Sequence, residues 1–402
     1  MTLSENQSLQ VSIFSKWTSV ILVMCLFLLR PSALGQNITP VGLFIVTLIA
    51  GLYVLKKNGV IRTSRRALEG LLFLAILAVS YFLYEGIIAI IFGKSNLVYY
   101  LKEVVSAVIV IVGYGIFLID SSNNRVFFRQ TCVVVAVLGW SHVATLLLCQ
   151  IVDPSALLIT RIPIEGYENV GAKGVEMGTI YFPVSMTYGQ VEIMGHQVMR
   201  FCGFFREPGI FQAVACFCLA IESLTSRTRW VLIGLILGIL TTLSTAGYFL
   251  MFFIIGAVNI VQGNITFIKG MAAIITVVVG LYAVFQMPGI GISSKASSGG
   301  GSITDRVEGV QSGINTFLIN PLGNGPFSNS NKYEAICLLA SISSIGLLGF
   351  VLQVTILSGI RNGPSWLRLR RVIACTPLLL TALISQPIAG AAVLYVFVML
   401  WL

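Results

Sequence analysis

The chain has 402 residues, of which 56% are hydrophobic and only 10% are charged, whereas a soluble domain carries about 25% charged residues. This composition excludes a large soluble domain and indicates a polytopic membrane protein, because apolar runs near the ~20 residues needed to cross a bilayer recur along the chain. The net charge is +10, but no basic surface interleaved with aromatic residues is present, so no nucleic-acid partner is expected.

We predict an all-α fold in which about twelve transmembrane helices form a single membrane domain over residues 1–402. The runs on either side of "LSTAGYF" and of "ISQPIAGAA" are short, so each pair could instead be one broken helix. The spans are expected at 15–34, 38–55, 67–92, 98–119, 131–152, 208–224, 230–244, 246–262, 270–287, 336–359, 372–386 and 388–402.

Lys and Arg residues in the short loops predict the orientation, because cytoplasmic loops of membrane proteins are enriched in these residues. The most basic loop, "KKNGVIRTSRR", covers residues 56–66. Together with Lys16 and the other loops on its side, it brings 15 of the 25 basic residues to one face. We predict that this face is cytoplasmic, that both termini lie there, and that the first span inserts without cleavage.

Two long loops then lie on the external, periplasmic side, at 153–207 and 288–335. The first contains turn residues and the alternating stretches "GTIYFPVSM" and "GQVEIMGHQVMR", which predict a short hairpin. No repeat relates the two halves of the chain, so the inverted-repeat plan of many secondary transporters gains no support.

The first external loop ends with Arg200, Arg206 and Glu207 directly before the next span. Orientation does not require positive charge on this side, and guanidinium groups suit bidentate contact with phosphate. Each Arg could instead anchor the span at the membrane surface, and Glu207 could only stabilise the start of the helix that Pro208 opens. The functional alternative is a phosphate-binding pair of arginines beside a general base, either Glu207 or His196.

The second external loop opens with a Ser/Gly tract, residues 293–302, that is expected to be flexible. A helix is predicted after it, because Asp305 and Glu308 have a capping-box-like spacing and an apolar stripe follows. Arg306 on this helix is either part of a solvated face or a third cationic ligand on a mobile lid. The stripe consists of Val307, Val310, Ile314 and Phe317.

Two turns could add polar contacts to the same site. "LSTAGYF" places Ser244 and Tyr248 where they could hydrogen-bond sugar hydroxyls, although a simple tight turn explains the pattern equally well. "NPLGNGPF" contains Asn324 and could direct backbone N–H groups at a ligand, although Gly-rich turns are common.

Other polar residues have structural interpretations. Glu85 and Lys102 lie in adjacent spans and are expected to pair, since an unpaired charge there is costly. Most of the eight Cys residues lie in apolar runs and are expected to pack as small side chains, although Cys202 and Cys337 could form a bridge. No HExxH, acidic metal pair, Walker loop or nucleotide fingerprint is present, so neither a metal nor another cofactor is expected.

Four segments occur in order over residues 195–355: "RFCGFFREPGIFQAVACFCL", "LTTLSTAGYFLMFF", "DRVEGVQSGINTFLINPLGNGPF" and "ASISSIGLLGFVLQ". This pattern resembles the Wzy-type polysaccharide polymerases of the O-antigen ligase/polymerase family. The resemblance implies a GT-C-like glycosyltransferase of the bacterial inner membrane, which moves a glycan from undecaprenyl diphosphate onto a second undecaprenyl-diphosphate-linked repeat unit. The product would be O-antigen or a related polysaccharide.

The resemblance also assigns roles to residues. The external arginines of the family correspond to Arg200 or Arg206 in the first loop and to Arg306 in the second. Ligases of the family carry a functional His in an "HN" pair before the "GLLG" span, and the matching segment here, "SNSNKYEAICLLASISSIGLLG", has none, which favours a polymerase over a ligase. Membrane lipids and a chain-length regulator protein are further candidate partners.

The remaining alternative is a protein of a different functional class, a flippase or transporter of lipid-linked oligosaccharide. That interpretation predicts polar residues deep in many spans and internal symmetry, and the sequence has few of the former and none of the latter. We expect instead an inverting transfer, in which the three arginines stabilise charge on the leaving diphosphate and Glu207 or His196 accepts the proton of the acceptor hydroxyl.

Overall fold

A computed structural model describes residues 13–57, 63–92, 96–164, 177–193, 196–263, 282, 301–326, 336–361 and 364–400. The chain is mostly helical. The described helices are α1 (Ile13–Leu26), α2 (Gly35–Lys56), α3 (Arg65–Phe92), α4 (Leu97–Leu118), α5 (Ser121–Leu148), α6 (Pro208–Leu224), α7 (Arg229–Thr241), α8 (Thr245–Val261), α9 (Gly301–Ile319), α10 (Ile342–Leu357), α11 (Ser365–Ile384) and α12 (Ala392–Phe397). A short 3-10 helix, Pro154–Leu157, follows α5.

Four helices are long and apolar enough to cross a membrane, namely Asn37–Lys56 within α2 and the whole of α3, α4 and α5. Shorter apolar helices add to the same character: α1, α6, α7, α8 and α10. The architecture is therefore that of a membrane-embedded protein. The predicted span at 270–287 and the Ser/Gly tract up to residue 300 lie outside the described residues.

Several helix boundaries differ from the predicted spans for local reasons. Helix α5 begins ten residues earlier than expected, because the Asp120 side chain accepts a hydrogen bond from the Ser122 N–H at 2.9 Å and caps the helix. The helical pattern is interrupted both at "LSTAGYF" and at "ISQPIAGAA", since α7 ends before α8 begins and α11 ends before α12 begins. The last predicted span contains only the six helical residues of α12.

Residues 153–207, which the sequence predicts to be the first external loop, contain a four-stranded antiparallel sheet in the order β1 (Leu158–Pro163), β2 (Met177–Tyr181), β3 (Ser185–Ile193) and β4 (His196–Phe201). The all-α prediction is therefore wrong in this loop, and the expected hairpin is part of a larger sheet. The β2–β3 turn is fixed to α5, because the Ser141 and Ser185 hydroxyls lie 2.9 Å apart and the Val184 N–H donates to Ser141 at 3.1 Å.

Helix α6 is the centre of the helical bundle. All its residues except Ser223 are buried, and it packs against α5, α7, α8 and α11. Next to it, α5 and α7 approach so closely at Gly139 that a Cβ there would collide with the Gly234 carbonyl oxygen. Small residues permit this backbone contact between apolar helices. The central position of α6 means that Glu207, at its start, faces the middle of one end of the bundle.

The opposite end of α6 carries a buried charge cluster that the sequence did not reveal. One Arg129 nitrogen donates to both Glu222 carboxylate oxygens at 2.7 and 2.8 Å, and another donates to the Thr228 hydroxyl at 2.7 Å. The Thr228 N–H also donates to Glu222, at 2.7 Å. Since the carboxylate accepts three hydrogen bonds from two donors, its burial is compensated, and the cluster ties α5, α6 and α7 together.

Two expected pairs do not form. Glu85 is buried and accepts a hydrogen bond from the Tyr81 hydroxyl, whereas Lys102 is exposed and lies over the Tyr99 ring at 5.3 Å. The predicted Glu85–Lys102 ion pair is therefore wrong, because a neighbouring hydroxyl satisfies the carboxyl instead. Cys202 and Cys337 are both buried and free, so the bridge is also wrong.

Candidate functional site

The loops at the start of α6 are fixed to one another. Ser32, in the connection between α1 and α2, forms an antiparallel bridge with Phe205. The Ala33 N–H donates to the Phe204 carbonyl at 2.8 Å, and the Arg206 N–H donates to the Pro31 carbonyl at 3.3 Å. The segment that carries Arg206 and Glu207 is thus held by backbone pairing.

Arg200 is directed toward this end of the bundle by a β-bulge. Strand β3 places two residues, Tyr188 and Gly189, opposite Arg200 alone, and Gly189 has a positive φ of 69°. The Arg200 Nε donates to the Thr242 carbonyl at 3.2 Å, at the end of α7. Burial lowers the pKa of the Arg200 guanidinium, and the positive charge of Arg306 lowers this pKa further. Two guanidinium groups, one on strand β4 and one on helix α9, therefore lie close enough to influence each other's charge.

Glu207 precedes Pro208, yet its side chain makes no capping hydrogen bond to α6. The carboxyl group instead interacts with the Gln386 side chain and with the charge of Arg306. Burial raises the pKa of Glu207, and these two interactions oppose the increase. A buried carboxyl group with a raised pKa beside a cationic group is a candidate general base.

Arg306 connects the parts of the site. It is half-buried on α9, and its charge influences both Arg200 and Glu207. Burial raises the pKa of the Cys337 thiol, and Arg306 is among the groups that oppose this increase. Arg306 therefore lies between the first external loop and the segment that precedes α10.

An open groove with a volume of about 490 Å³ begins at Arg306. One wall is α9, and the other includes the end of α11. Most of the lining side chains are apolar, and the predicted stripe of α9 supplies three of them. The lining residues are Arg306, Val307, Val310, Gln311, Ile314, Asn315, Leu339 and Ile384.

Helix α9 differs from the prediction in its start and in its packing. It begins at Gly301, so Asp305 lies inside the helix and does not cap it. Gly313 packs against the segment before α10, because a Cβ at this position would lie 2.5 Å from the Ala340 carbonyl oxygen. This close backbone contact sets the position of Arg306, two turns earlier on the same helix.

The turn that contains Asn324 is occupied by structural hydrogen bonds. The Asn324 and Gly325 N–H groups donate to the Ser343 and Ser344 carbonyls at 2.9 and 3.0 Å. The Asn324 side-chain oxygen accepts from Asn320 at 3.0 Å. These N–H groups bind the start of α10 and are not directed at a ligand, so the structure gives Asn324 a structural role in this turn.

The turn between α7 and α8 has a mixed role. The Tyr248 hydroxyl donates to the Leu240 carbonyl at 2.8 Å, and the ring is buried. Tyr248 is nevertheless close enough to Arg200 to act on its charge. Ser244 is half-buried and makes no side-chain capping bond to α8, so its hydroxyl is not used to cap this helix.

One further candidate lies apart from the cluster formed by Arg200, Glu207 and Arg306. His196 is exposed at the first position of β4, and its Cα lies four residue steps along the strand, about 13 Å, from that of Arg200. Arg206 is half-buried, and its backbone N–H is held by the Pro31 carbonyl. The structure thus brings Glu207, and not His196, together with Arg306.

Gln386 is the site residue that sequence reasoning missed. It follows α11 and is only 2% exposed, and its side chain hydrogen-bonds the Glu207 carboxyl group. The only sequence signal was the break "ISQPIAGAA", where Pro387 ends the helical pattern without indicating which residue the bend brings to Glu207.

Comparisons with known proteins add no assignment. No family model matches this chain, and comparisons with curated proteins and with solved structures gave no match either. Within the described part of the chain, no group of three or more His, Cys, Asp or Glu residues could hold a metal ion.

Proposed function

We propose that this chain is a membrane glycosyltransferase that polymerises undecaprenyl-diphosphate-linked repeat units into O-antigen or a related polysaccharide. The observation that carries the proposal is the convergence of Arg200, Arg306 and Glu207 from three separate elements at one end of an apolar helical bundle. Two guanidinium groups suit a diphosphate, and an adjacent carboxylate suits activation of a hydroxyl.

The groove at Arg306 supports a lipid-linked substrate rather than a soluble one. A polyprenyl diphosphate has an anionic head and a long apolar chain. Arg306 lies where the head would bind, and the apolar side chains of α9, such as Val310 and Ile314, continue from it along the groove. The same arrangement would hold the reacting glycan near Glu207, because Ile384 of the groove wall is two residues from Gln386.

The chemistry is a single displacement at the anomeric carbon of the donor sugar. Glu207 accepts the proton of an acceptor hydroxyl, and the acceptor oxygen forms a bond to the anomeric carbon. The bond between that carbon and the diphosphate oxygen breaks, and the electron pair leaves with the diphosphate. Arg200 and Arg306 stabilise the charge that develops on this leaving group, and attack from the opposite face inverts the anomeric centre.

The proposal includes the membrane arrangement expected from the sequence. It places about twelve spans and a GT-C-like plan in the inner membrane, with both termini in the cytoplasm and the site facing the periplasm. The described loops are compatible with this plan, because Ser32, Thr242 and Gln386 all contact residues 200–207. These three residues lie in connections that the alternating spans assign to the external side.

Reconstitution tests the proposal. We expect purified protein in liposomes, supplied with the lipid-linked repeat unit from a host that lacks this chain, to produce a ladder of longer glycans. Arg306→Ala and Arg200→Ala should each slow elongation by about 10²- to 10³-fold, the usual effect of removing one charge-stabilising donor. Arg65→Ala is the matched control, since the Arg65 side chain is 92% exposed and pairs only with Glu69 one turn away.

The products distinguish the alternatives. Transfer of the glycan to a lipid A core without elongation would indicate a ligase, and altered sidedness of the lipid without elongation would indicate a flippase. Full ladders from both arginine variants at wild-type rates would refute the role of the cluster.

A further inference from the structure

The break between α11 and α12 fixes the Gln386 side chain against the start of α6. The Gln386 N–H donates to the Thr381 carbonyl at 2.8 Å, which turns the chain inward after α11. Its side-chain nitrogen lies 2.5 Å from the position that a Cβ would occupy at Gly209. The absence of a side chain at Gly209 therefore allows the amide to reach Glu207.

The NH2 group of the Gln386 amide has a hydrogen-bond partner, whereas its oxygen has none among the described residues. The Gln386 side chain hydrogen-bonds the Glu207 carboxyl group, and an amide does this through its NH2 group, since the ionised carboxylate only accepts. The Gln386 Oε1 is buried and has no hydrogen-bond partner among the described residues. Buried polar atoms in native proteins almost always have a partner, so this oxygen can accept a hydrogen bond from a donor outside the described residues.

The surroundings restrict the chemistry of that donor. The groups that act on Glu207 are Gln386, in the segment after α11, and the positive charge of Arg306 on α9, while its own helix α6 provides no side-chain cap. The carboxylate and the Gln386 Oε1 therefore present adjacent acceptors for O–H groups. The neighbouring hydroxyls of a sugar ring are donors of this kind.

We propose that Gln386 binds the acceptor sugar beside Glu207. In this arrangement, which rests on the proposed glycosyl transfer, the amide NH2 orients the Glu207 carboxylate toward the attacking hydroxyl. The Gln386 Oε1 accepts a hydrogen bond from a neighbouring hydroxyl of the same sugar. Gln386 is thus a positioning residue for the base and a contact that selects the acceptor.

Two independent substitutions test this arrangement. Gln386→Leu keeps most of the volume but removes both halves of the amide. Gly209→Ala leaves Glu207 and Gln386 intact but places a methyl group where the amide nitrogen now packs, and a helical Ala should not impair folding. The controls are Gln262→Leu, a glutamine at the other end of α8 whose side chain donates to the Ser223 carbonyl, and Gly256→Ala, where a Cβ would meet nothing within 4 Å.

The first measurement does not depend on the proposed function. Dicyclohexylcarbodiimide modifies protonated carboxyl groups, so labelling of Glu207 followed by mass spectrometry across a pH series reports its protonation. Because the hydrogen bond from Gln386 favours the ionised carboxylate, Gln386→Leu and Gly209→Ala should move the labelling midpoint to higher pH, and the controls should not. Unchanged midpoints in both variants would overturn the positioning role.

The second measurement addresses the sugar contact. With the lipid-linked repeat unit as substrate, Gln386→Leu should raise KM by about tenfold or more, the usual cost of a lost hydrogen bond to a buried group, and should move the acid limb of the rate profile to higher pH. An unchanged KM beside a shifted labelling midpoint would mean that ordered water, not the sugar, binds the Gln386 Oε1. Wild-type protein that gives no ladder but the expected labelling shifts would refute the proposed function and the sugar contact, and leave the Gln386–Glu207 interaction in place.

Discussion

Glu207 shows how the burial of a single residue determines its chemistry. A carboxyl group before Pro208 has two ordinary uses in a helical protein: it caps the helix, or it is solvated at the surface. Here it does neither, because it makes no capping bond and is held among Gln386 and Arg306. Partial loss of water raises its pKa, and the adjacent positive charge keeps the ionised form accessible.

Replacement of this carboxyl group tests its role as the base. We expect Glu207→Gln to reduce the elongation rate by about 10²- to 10⁴-fold, the usual contribution of a general base, without loss of folded protein. His196→Gln should retain the wild-type rate, since His196 is exposed and distant along β4. If the two variants gave the opposite results, the base would be His196.

The rate of the wild-type protein should also depend on pH in a defined direction. The base acts only when it is deprotonated, so the rate rises with pH as Glu207 loses its proton. Because burial raises the pKa of Glu207, this rise should occur at a higher pH than for an ordinary glutamate. A pH profile of initial rates measures it, and a rate that is constant down to the ordinary glutamate range would contradict the assignment.

At the scale of elements, a packing contact at Gly313 holds α9 in place and so sets the position of Arg306, two turns away on the same helix. Gly313 lies against the Ala340 carbonyl oxygen, and the turn around Asn324 is bound to the start of α10. The helix is therefore fixed at two places after Arg306. Its apolar stripe lines a groove instead of packing into the core, which explains why Val307 and Ile314 remain exposed.

Gly313→Ala tests whether this contact positions the arginine. The new Cβ would lie 2.5 Å from backbone, so α9 must shift, and Arg306 must shift with it. We expect a loss of elongation approaching that of Arg306→Ala, with little change in thermal stability, because the displaced helix lies at the surface of the bundle. Gly51→Ala is the control, since a Cβ there meets nothing within 4 Å, and equal rates in the two variants would show that α9 tolerates the shift.

At the scale of the whole molecule, the alternation of helices brings the connecting segments of one end together. The α1–α2 connection, the α7–α8 turn and the segment after α11 each contact residues 200–207, which lead into the start of α6. The buried Arg129–Glu222 cluster occupies the other end of α6. The two ends of the bundle therefore differ in their charged groups. At one end Arg200, Glu207 and Arg306 lie together, and at the other end Arg129 and Glu222 form an ion pair.

Labelling of introduced cysteines tests the orientation. Gln311→Cys, on an exposed position of α9, should react with a membrane-impermeant maleimide added from the periplasmic side. Arg65→Cys should react only after the inner membrane is opened. Cys149→Ser is the suitable background, because the other native cysteines are buried. Labelling of Arg65→Cys from outside would reverse the orientation and place the cluster in the cytoplasm.

Local patterns in the sequence predicted much of the architecture. Helix α6 has the predicted bounds, because proline is favoured at the first helical position and the apolar run after Pro208 has no competing signal. The sequence predicted only a hairpin where the structure has a four-stranded sheet. The strands alternate weakly in hydrophobicity, and contacts with α5 through Ser141 and Ser185 stabilise the sheet. The Glu85–Lys102 pair was wrong because the direction of a side chain around a helix decides its partner.

The amino-acid sequence by itself determined the membrane character and the principal helices, and it predicted that Arg200, Arg206 and Arg306 could bind a lipid diphosphate. These properties depend on hydropathy, on caps and on charge, which act over a few residues of chain. Only the tertiary structure decided that Arg200 shares its surroundings with Arg306, that the Asn324 turn is structural, and that Gln386 meets Glu207. Each of these depends on segments far apart in the chain, whose meeting is set by helix packing, such as the contact at Gly313, and not by any local pattern.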